Sequence, residues 1–177
     1  LATVLLGSQG NSYLIERVLG HGGMGITYLA LDQTARTNVV IKTLKPEIMS
    51  DLKVVMRFMQ EAHTILKLQH PNLVQGYDFY QGKAFCYLVM EFIDGKSVEK
   101  MIEEEGCLDP LIATQIVSGI AQALMYLEEH RMVHRDIKPA NIIISPGGVP
   151  KLVDFGLVKL NDRGCNLTTP RIILGTP

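Results

Sequence analysis

Between residues 134 and 156 the chain concentrates groups that can move a phosphoryl group. His134-Arg135-Asp136-Ile137-Lys138-Pro139-Ala140-Asn141 is followed by Asp154-Phe155-Gly156, which places two carboxylates, an amide and an ammonium on loops beside short apolar runs. Phosphoryl transfer is catalysed mostly by positioning and charge neutralisation. It calls for hard oxygen ligands to hold magnesium, a carboxylate to receive or orient a hydroxyl proton, and a cation to steady the moving phosphoryl. Any one of these residues alone reads as a solvated loop group. The ordered set does not.

Three features upstream fit the same chemistry. Gly20-His21-Gly22-Gly23-Met24-Gly25 contains G-x-G-x-x-G. A dinucleotide-binding turn needs a helix after the glycines, and here a strand pattern follows, which excludes that reading. Two readings stay open: a glycine hairpin whose N–H groups approach phosphates, or an ordinary glycine-rich turn. Lys42 closes the apolar run Asn38-Val39-Val40-Ile41, where a lysine either snorkels from a sheet edge or floors a phosphate site. Glu61 shares a helical stripe with Phe58 and Ile65, so its carboxylate is expected to face inward and to need a cation. Lys42 is the expected partner.

Periodicity supplies the elements that must hold these groups. Residues 13–19, 26–31 and 38–42 read as strands, with the glycines as a hairpin tip. Val55, Met59, Ala62 and Leu66 form the stripe of an amphipathic helix, with Ser50 or Asp51 as its N-cap and His70-Pro71 as its stop. Strands at 73–79 and 85–92 are joined by a turn at Gln81-Gly82-Lys83. Beyond Asp94-Gly95 the pattern is helical. Asp109-Pro110 starts a long helix with Ile112, Ile116, Ile120, Leu124 and Leu127 on one face. Short strands are expected at 142–144 and 151–153. The fold class is therefore α+β, with residues 1–12 as a flank, a β-rich lobe over 13–93 and a helical lobe over 94–177.

Composition narrows the function classes. The 177 residues carry 17 Lys+Arg against 18 Asp+Glu, a net charge of −1, which argues against a nucleic-acid partner or a polybasic membrane anchor. A hydrophobic fraction of 47% excludes a disordered chain. No uninterrupted apolar run reaches the roughly 18 residues of a membrane span. Cys86, Cys107 and Cys165 are odd in number and far apart, which suggests reduced thiols and a cytoplasmic location.

Taken together, the motifs resemble the eukaryotic-like protein kinases, specifically the serine/threonine branch common in bacteria. The Gly-Gly-Met-Gly core of the glycine loop, the strand Val39-Val40-Ile41-Lys42, the helix segment Arg57-Phe58-Met59-Gln60-Glu61-Ala62, the hinge-like Met90-Glu91-Phe92-Ile93-Asp94-Gly95, the catalytic loop and Asp-Phe-Gly occur in family order from about residue 13 to 177. The resemblance implies a bilobal fold, with a complete five-stranded β-rich N-lobe carrying helix C and an incomplete helical C-lobe. It implies ATP and Mg2+ (or Mn2+) as cofactors and protein Ser/Thr hydroxyls as substrate. Leu19, Gly20, His21, Gly22, Gly23, Met24, Gly25, Thr27, Val40 and Lys42 would surround the nucleotide, with Glu61 holding Lys42. Glu91 and Ile93 would bind adenine, with Met90 as gatekeeper. Asp136 would act on the substrate hydroxyl and Lys138 on the phosphoryl. Asn141 and Asp154 would bind the metal, and Phe155 would pack beneath helix C. Arg135 implies control by a phosphate on Thr168 or Thr169.

Some positions depart from the family pattern. Thr27 stands where valine is usual, Val40 where alanine is usual, and Gly76 where a larger apolar residue would pack behind helix C. The chain stops before the Ala-Pro-Glu motif, so a fragment of a longer, membrane-anchored protein is expected, marginally stable and with little activity by itself. The other readings are a small-molecule phosphotransferase, which shares the Asp…Asn logic, and a nucleotide-binding pseudokinase.

Overall fold

In a computed structural model, which describes residues 3–23, 25–82, 85–154 and 159–160, the chain forms two units. Leu1–Leu68 with Gln75–Phe92 make the first, and Gln69–Val74 with Ile93–Pro177 the second.

Alternation at period two builds the first unit. Six strands, β1 (Val4–Leu6), β2 (Ser12–His21), β3 (Gly25–Asp32), β4 (Thr37–Leu44), β5 (Gly76–Gln81) and β6 (Cys86–Glu91), form one antiparallel sheet in the order β1-β2-β3-β4-β6-β5. Tyr13, Ala30, Val39, Ile41, Tyr87 and Val89 form a buried cluster, with Leu5, Ile15, Tyr28 and Tyr80 packed against it. The intervening residues of β3, β4 and β6, Thr27, Leu29, Val40, Lys42, Leu88 and Met90, consequently share the opposite face.

Five strands are predicted and the sheet has six. Val4-Leu5-Leu6, inside the expected flank, adds to β2 through pairs such as Leu5↔Tyr13, because Leu5 can join the cluster. The two outer strands are also tied together. Asp78 of β5 is buried, and its carboxylate accepts hydrogen bonds from Ser8 N at 2.9 Å, Ser8 Oγ, Tyr13 OH at 3.2 Å and Phe79 N at 2.8 Å. Tyr87 OH donates to the Leu6 carbonyl. Burial, with the charge of Asp78 adding to it, pushes the Tyr13 hydroxyl up to about 12.

Helix α1 (Leu52–Ile65) starts at Asp51, whose side chain accepts from the Lys53 and Val54 amides. It buries Val55, Phe58, Glu61, Ala62 and Ile65, with the Phe58 ring centroid 6.1 Å from that of Phe79 on β5. The helix ends before His70-Pro71, tightening through Lys67 N→Thr64 O and Leu68 N→Ile65 O. Its last turn lies on Gly76. A Cβ there would sit 2.7 Å from Ile65 Cγ2 and 3.0 Å from both Ile65 C and Leu66 N. The contact expected to be thin at Gly76 is therefore filled by the backbone of the helix. Leu73 and Val74 also leave the strand predicted for them. Val74 N donates to Leu152 O at 3.0 Å and Leu152 N to Asn72 O at 2.8 Å, so this stretch belongs to the second unit.

In the second unit, α2 (Val98–Glu105) is capped by Ser97 and α3 (Pro110–Glu129) by Asp109, whose carboxylate accepts from Leu111 N at 2.8 Å. Strands β7 (Lys96–Ser97), β9 (Ile142–Ile144) and β10 (Pro150–Leu152) form a sheet in the order β10-β9-β7, and β8 (Met132–Val133) pairs with β11 (Lys159–Leu160). Although α3 is long and apolar enough to cross a membrane by length and composition, its stripe Ile116, Gly119, Ile120, Ala123 and Leu127 is buried, and the helix packs on β10 and β8. Here it serves as the core helix of this unit.

Candidate functional site

Chemistry-bearing residues gather separately in each unit. In the first, Lys42 Nζ lies 2.9 Å from Glu61 Oε1, with the glutamate side chain only 8% exposed. The pair exists because β4 sends Lys42 to the sheet face opposite the cluster, while α1 places Glu61 one turn after Phe58 on its buried stripe. Across the same face run the register partners Gly20↔Thr27, Thr27↔Lys42, Lys42↔Leu88, Leu29↔Val40 and Val40↔Met90. Four expected nucleotide contacts, Thr27, Val40, Lys42 and Met90, thus share one surface.

The glycine loop is the β2–β3 turn, closed by Gly22 N→Gly25 O at 2.9 Å. Its glycines differ in what demands them. A Cβ on Gly25 would meet Thr43 O at 2.0 Å, so β4 forbids a side chain there. At Gly20 and Gly23 a Cβ would meet nothing within 4 Å, and neither has the left-handed backbone that favours glycine. Nothing inside the fold accounts for their bareness, which leaves room for a ligand to approach the backbone. Leu19 is the extra residue of a bulge between Val18 and Gly20 and is 38% exposed, and His21 is exposed at the strand end. Met24 lies outside the described residues.

In the second unit, the loop after β8 folds onto itself. Asn141 Nδ2 donates to both Asp136 O and Asp136 Oδ2 at 2.9 Å, and Lys138 Nζ lies 2.9 Å from the same Oδ2. Asn141 N donates to Lys138 O, and Val153 N to Asn141 O, each at 2.9 Å, which binds the loop to the chain entering Asp154. The hydrogen bond from Lys138 to Asp136 raises the lysine above its ordinary value, so it stays charged. Arg135 at φ 70 and Asp154 at φ 64 occupy the left-handed region, a strain that non-glycine residues carry mainly at functional sites. Asp154 is exposed.

His134 holds a place that its sequence position does not announce. It is 1% exposed, and its Nδ1 accepts from Asp136 N at 3.4 Å. Burial lowers its pKa, against the opposing pull of Asp154, Asp136 and a hydrogen bond to the Val153 backbone. A lone histidine beside a charged loop gives no periodic signal, so this anchor shows only in three dimensions.

The hinge-like residues divide their backbone groups. Met90 is 9% exposed at the end of the Lys42 face. Glu91 N donates to Gln75 O at 2.8 Å, which leaves its carbonyl as the group to offer a ligand. Ile93 accepts from Gly95 N at 2.9 Å, while among the described residues its own N–H meets no acceptor. Phe155, Cys165, Thr168 and Thr169, with the turn residue Lys83, lie outside the described residues.

The donor set suits a divalent cation of the magnesium type. Both amide hydrogens of Asn141 are spent on Asp136, so the oxygen arm of that side chain is the one left to ligate, and the Asp154 carboxylate is accessible. Among the described residues no group of three or more His, Cys, Asp or Glu could cage a metal alone. Magnesium is commonly held this way, by one or two protein oxygens plus substrate phosphates.

Comparison with known proteins agrees with this geometry. A profile of the protein kinase domain matches residues 13–175. The serine/threonine-protein kinase PknB of Mycolicibacterium smegmatis is 34% identical over 169 residues, 93% of this chain and 27% of that protein. PknA of Corynebacterium glutamicum is 34% identical over 172 residues, 94% of this chain and 36% of that protein. PknB of Mycobacterium tuberculosis is 32% identical over 169 residues, 93% of this chain and 27% of that protein. The chain spans roughly a quarter to a third of the length of these curated relatives.

Proposed function

The chain belongs to the protein kinase family, on its bacterial serine/threonine branch, and from that premise we propose that it transfers the γ-phosphoryl group of ATP to Ser and Thr hydroxyls of proteins. The observation that carries this is the convergence of Lys138 and Asn141 on one oxygen of Asp136. A carboxylate fixed by two donors is positioned to orient a substrate hydroxyl and take its proton as the oxygen attacks the γ-phosphorus. The bond from that phosphorus to the β-phosphate oxygen then breaks, and ADP leaves with the electron pair. Lys138 offers its ammonium to the transferring phosphoryl. Lys42, steadied by Glu61, neutralises the α- and β-phosphates beneath the glycine hairpin. The Glu91 carbonyl and the Ile93 N–H bind the adenine edge, behind which Met90 limits the slot. Mg2+, or Mn2+ in its place, would be held by Asn141 and Asp154 and would supply charge neutralisation at the β- and γ-phosphates.

We place this activity in the cytoplasm, where ATP is available, and name Thr168 and Thr169 as autophosphorylation sites read by Arg135. The test is phosphorylation of a generic basic protein with Mg-ATP, followed by mass spectrometry, comparing the protein with its Asp136→Asn variant. The variant should lose at least about 10²-fold in rate while keeping its nucleotide affinity. An undiminished rate in Asp136→Asn would overturn the assignment, and mass spectra without phosphate on Thr168 or Thr169 would remove those sites.

A further inference from the structure

A hydroxyl stands in an otherwise apolar row beside the cation of the first unit. Thr27 is the register partner of Lys42 on one side and of Gly20 on the other. Antiparallel partners share a face and hold their Cβ atoms about 4.5–5.5 Å apart. Gly20, Thr27 and Lys42 therefore cross three strands as a bare backbone, a hydroxyl and an ammonium in line. The neighbours on this face, Leu29, Val40, Leu88 and Met90, are apolar, so packing alone does not ask for a polar group. Thr27 is half-buried. Among the described residues its Oγ1 has no hydrogen-bond partner, whereas Thr43 Oγ1, on the adjoining strand, donates to Ile26 O at 3.2 Å. A threonine whose hydroxyl serves only the sheet would resemble Thr43. The space above Gly20, where a Cβ would meet nothing within 4 Å, is what the Thr27 hydroxyl faces along the row.

We propose that Thr27 is a further nucleotide contact, its hydroxyl donating a hydrogen bond to a phosphate oxygen of the triphosphate that Lys42 neutralises. This rests on the kinase reading above and adds to it a determinant of phosphate, rather than base, recognition. The donor is neutral and the acceptor anionic, which places its removal at about tenfold in affinity. Valine at this position keeps the β-branch and nearly the same volume, so the strand survives while only the hydroxyl is lost.

The test is isothermal titration of the protein with ATP and, separately, with adenosine, for the wild type, Thr27→Val and Thr27→Ser. Thr27→Val should weaken ATP binding about tenfold and leave adenosine binding unchanged, and Thr27→Ser should keep both. ATP binding as tight or tighter in Thr27→Val would overturn the proposal. So would an equal loss for ATP and adenosine, since the residue would then shape the slot for the nucleoside. A wild type that binds neither compound would instead sink the kinase reading itself, and this proposal with it.

Discussion

The glycines give the sharpest test of how this chain is built, because the same substitution should do opposite things at two of them. At Gly76 an added Cβ would lie 2.7 Å from Ile65 Cγ2 and 3.0 Å from two backbone atoms of the α1 terminus, against 3.4–4 Å for an ordinary contact. Ile65 is fully buried, so its methyl has no open side to retreat to. The two backbone neighbours can move only if the helix moves. Overpacking of this kind costs about 1–3 kcal/mol, while Gly→Ala by itself favours the folded state by about 0.4–1 kcal/mol through the unfolded chain. The expected net loss for Gly76→Ala is about 1–2 kcal/mol. At Gly20 the clash is missing and only the second effect remains, so Gly20→Ala should leave stability unchanged or slightly raised while weakening ATP binding. The chain has no tryptophan, so urea unfolding is best followed by far-UV circular dichroism. With slopes of about 1–3 kcal/mol per molar urea, Gly76→Ala should lower the midpoint by roughly 0.5–1 M and Gly20→Ala should not. An unmoved midpoint for Gly76→Ala would refute the backbone contact as drawn. A midpoint lowered as much in Gly20→Ala would refute the claim that its bareness serves a ligand.

Two further outcomes follow from the charged groups. Lys42→Met should cost about 2–4 kcal/mol, because it strands a buried Glu61 carboxylate. The Lys42→Met, Glu61→Gln double variant should lose less than the sum of the singles, with a coupling of about 1–3 kcal/mol in denaturation, and additivity would deny the pair. His134 sits below its ordinary 6.5 when folded, so below about pH 6.5 the unfolded chain takes up the proton first. Stability should therefore fall as the pH drops from 6.5 towards the folded-state value and then level off, with a flatter profile for His134→Gln in pH-dependent unfolding. Equal slopes for the two proteins would show that the imidazole is not held neutral by burial.

Local pattern made much of this readable. Alternating apolar residues mark β2, β3, β4 and β6, and Asp51 and Asp109-Pro110 announce α1 and α3, since caps and period are properties of a few adjacent residues. Sequence could not say where Leu73 and Val74 pair. They are as apolar as a strand requires, but their partner is Leu152, nearly 80 positions away. Strand β1 escaped because three residues carry too little periodicity, and its partners lie across a curled sheet. In the site, Glu61 was legible from its helical stripe and the catalytic loop from its composition. His134 was not, because a buried histidine and an exposed one look alike in a loop. Nor was the difference between Gly25, excluded from bearing a side chain by Thr43, and Gly20, excluded by nothing in the fold.

The Asp78 contacts bear on where this domain begins. The kinase profile starts at residue 13, yet two of the hydrogen bonds into that carboxylate come from Ser8, and the acceptor for the Tyr87 hydroxyl is the Leu6 carbonyl. A chain trimmed to the matched residues would keep every motif and lose those partners, leaving a buried carboxylate and a buried phenol to find water at the open edge of the sheet. The smallest stretch that can be recognised is thus shorter than the smallest stretch that satisfies its own polar groups. For anyone cutting expression boundaries from a sequence match, the first dozen residues belong inside the cut.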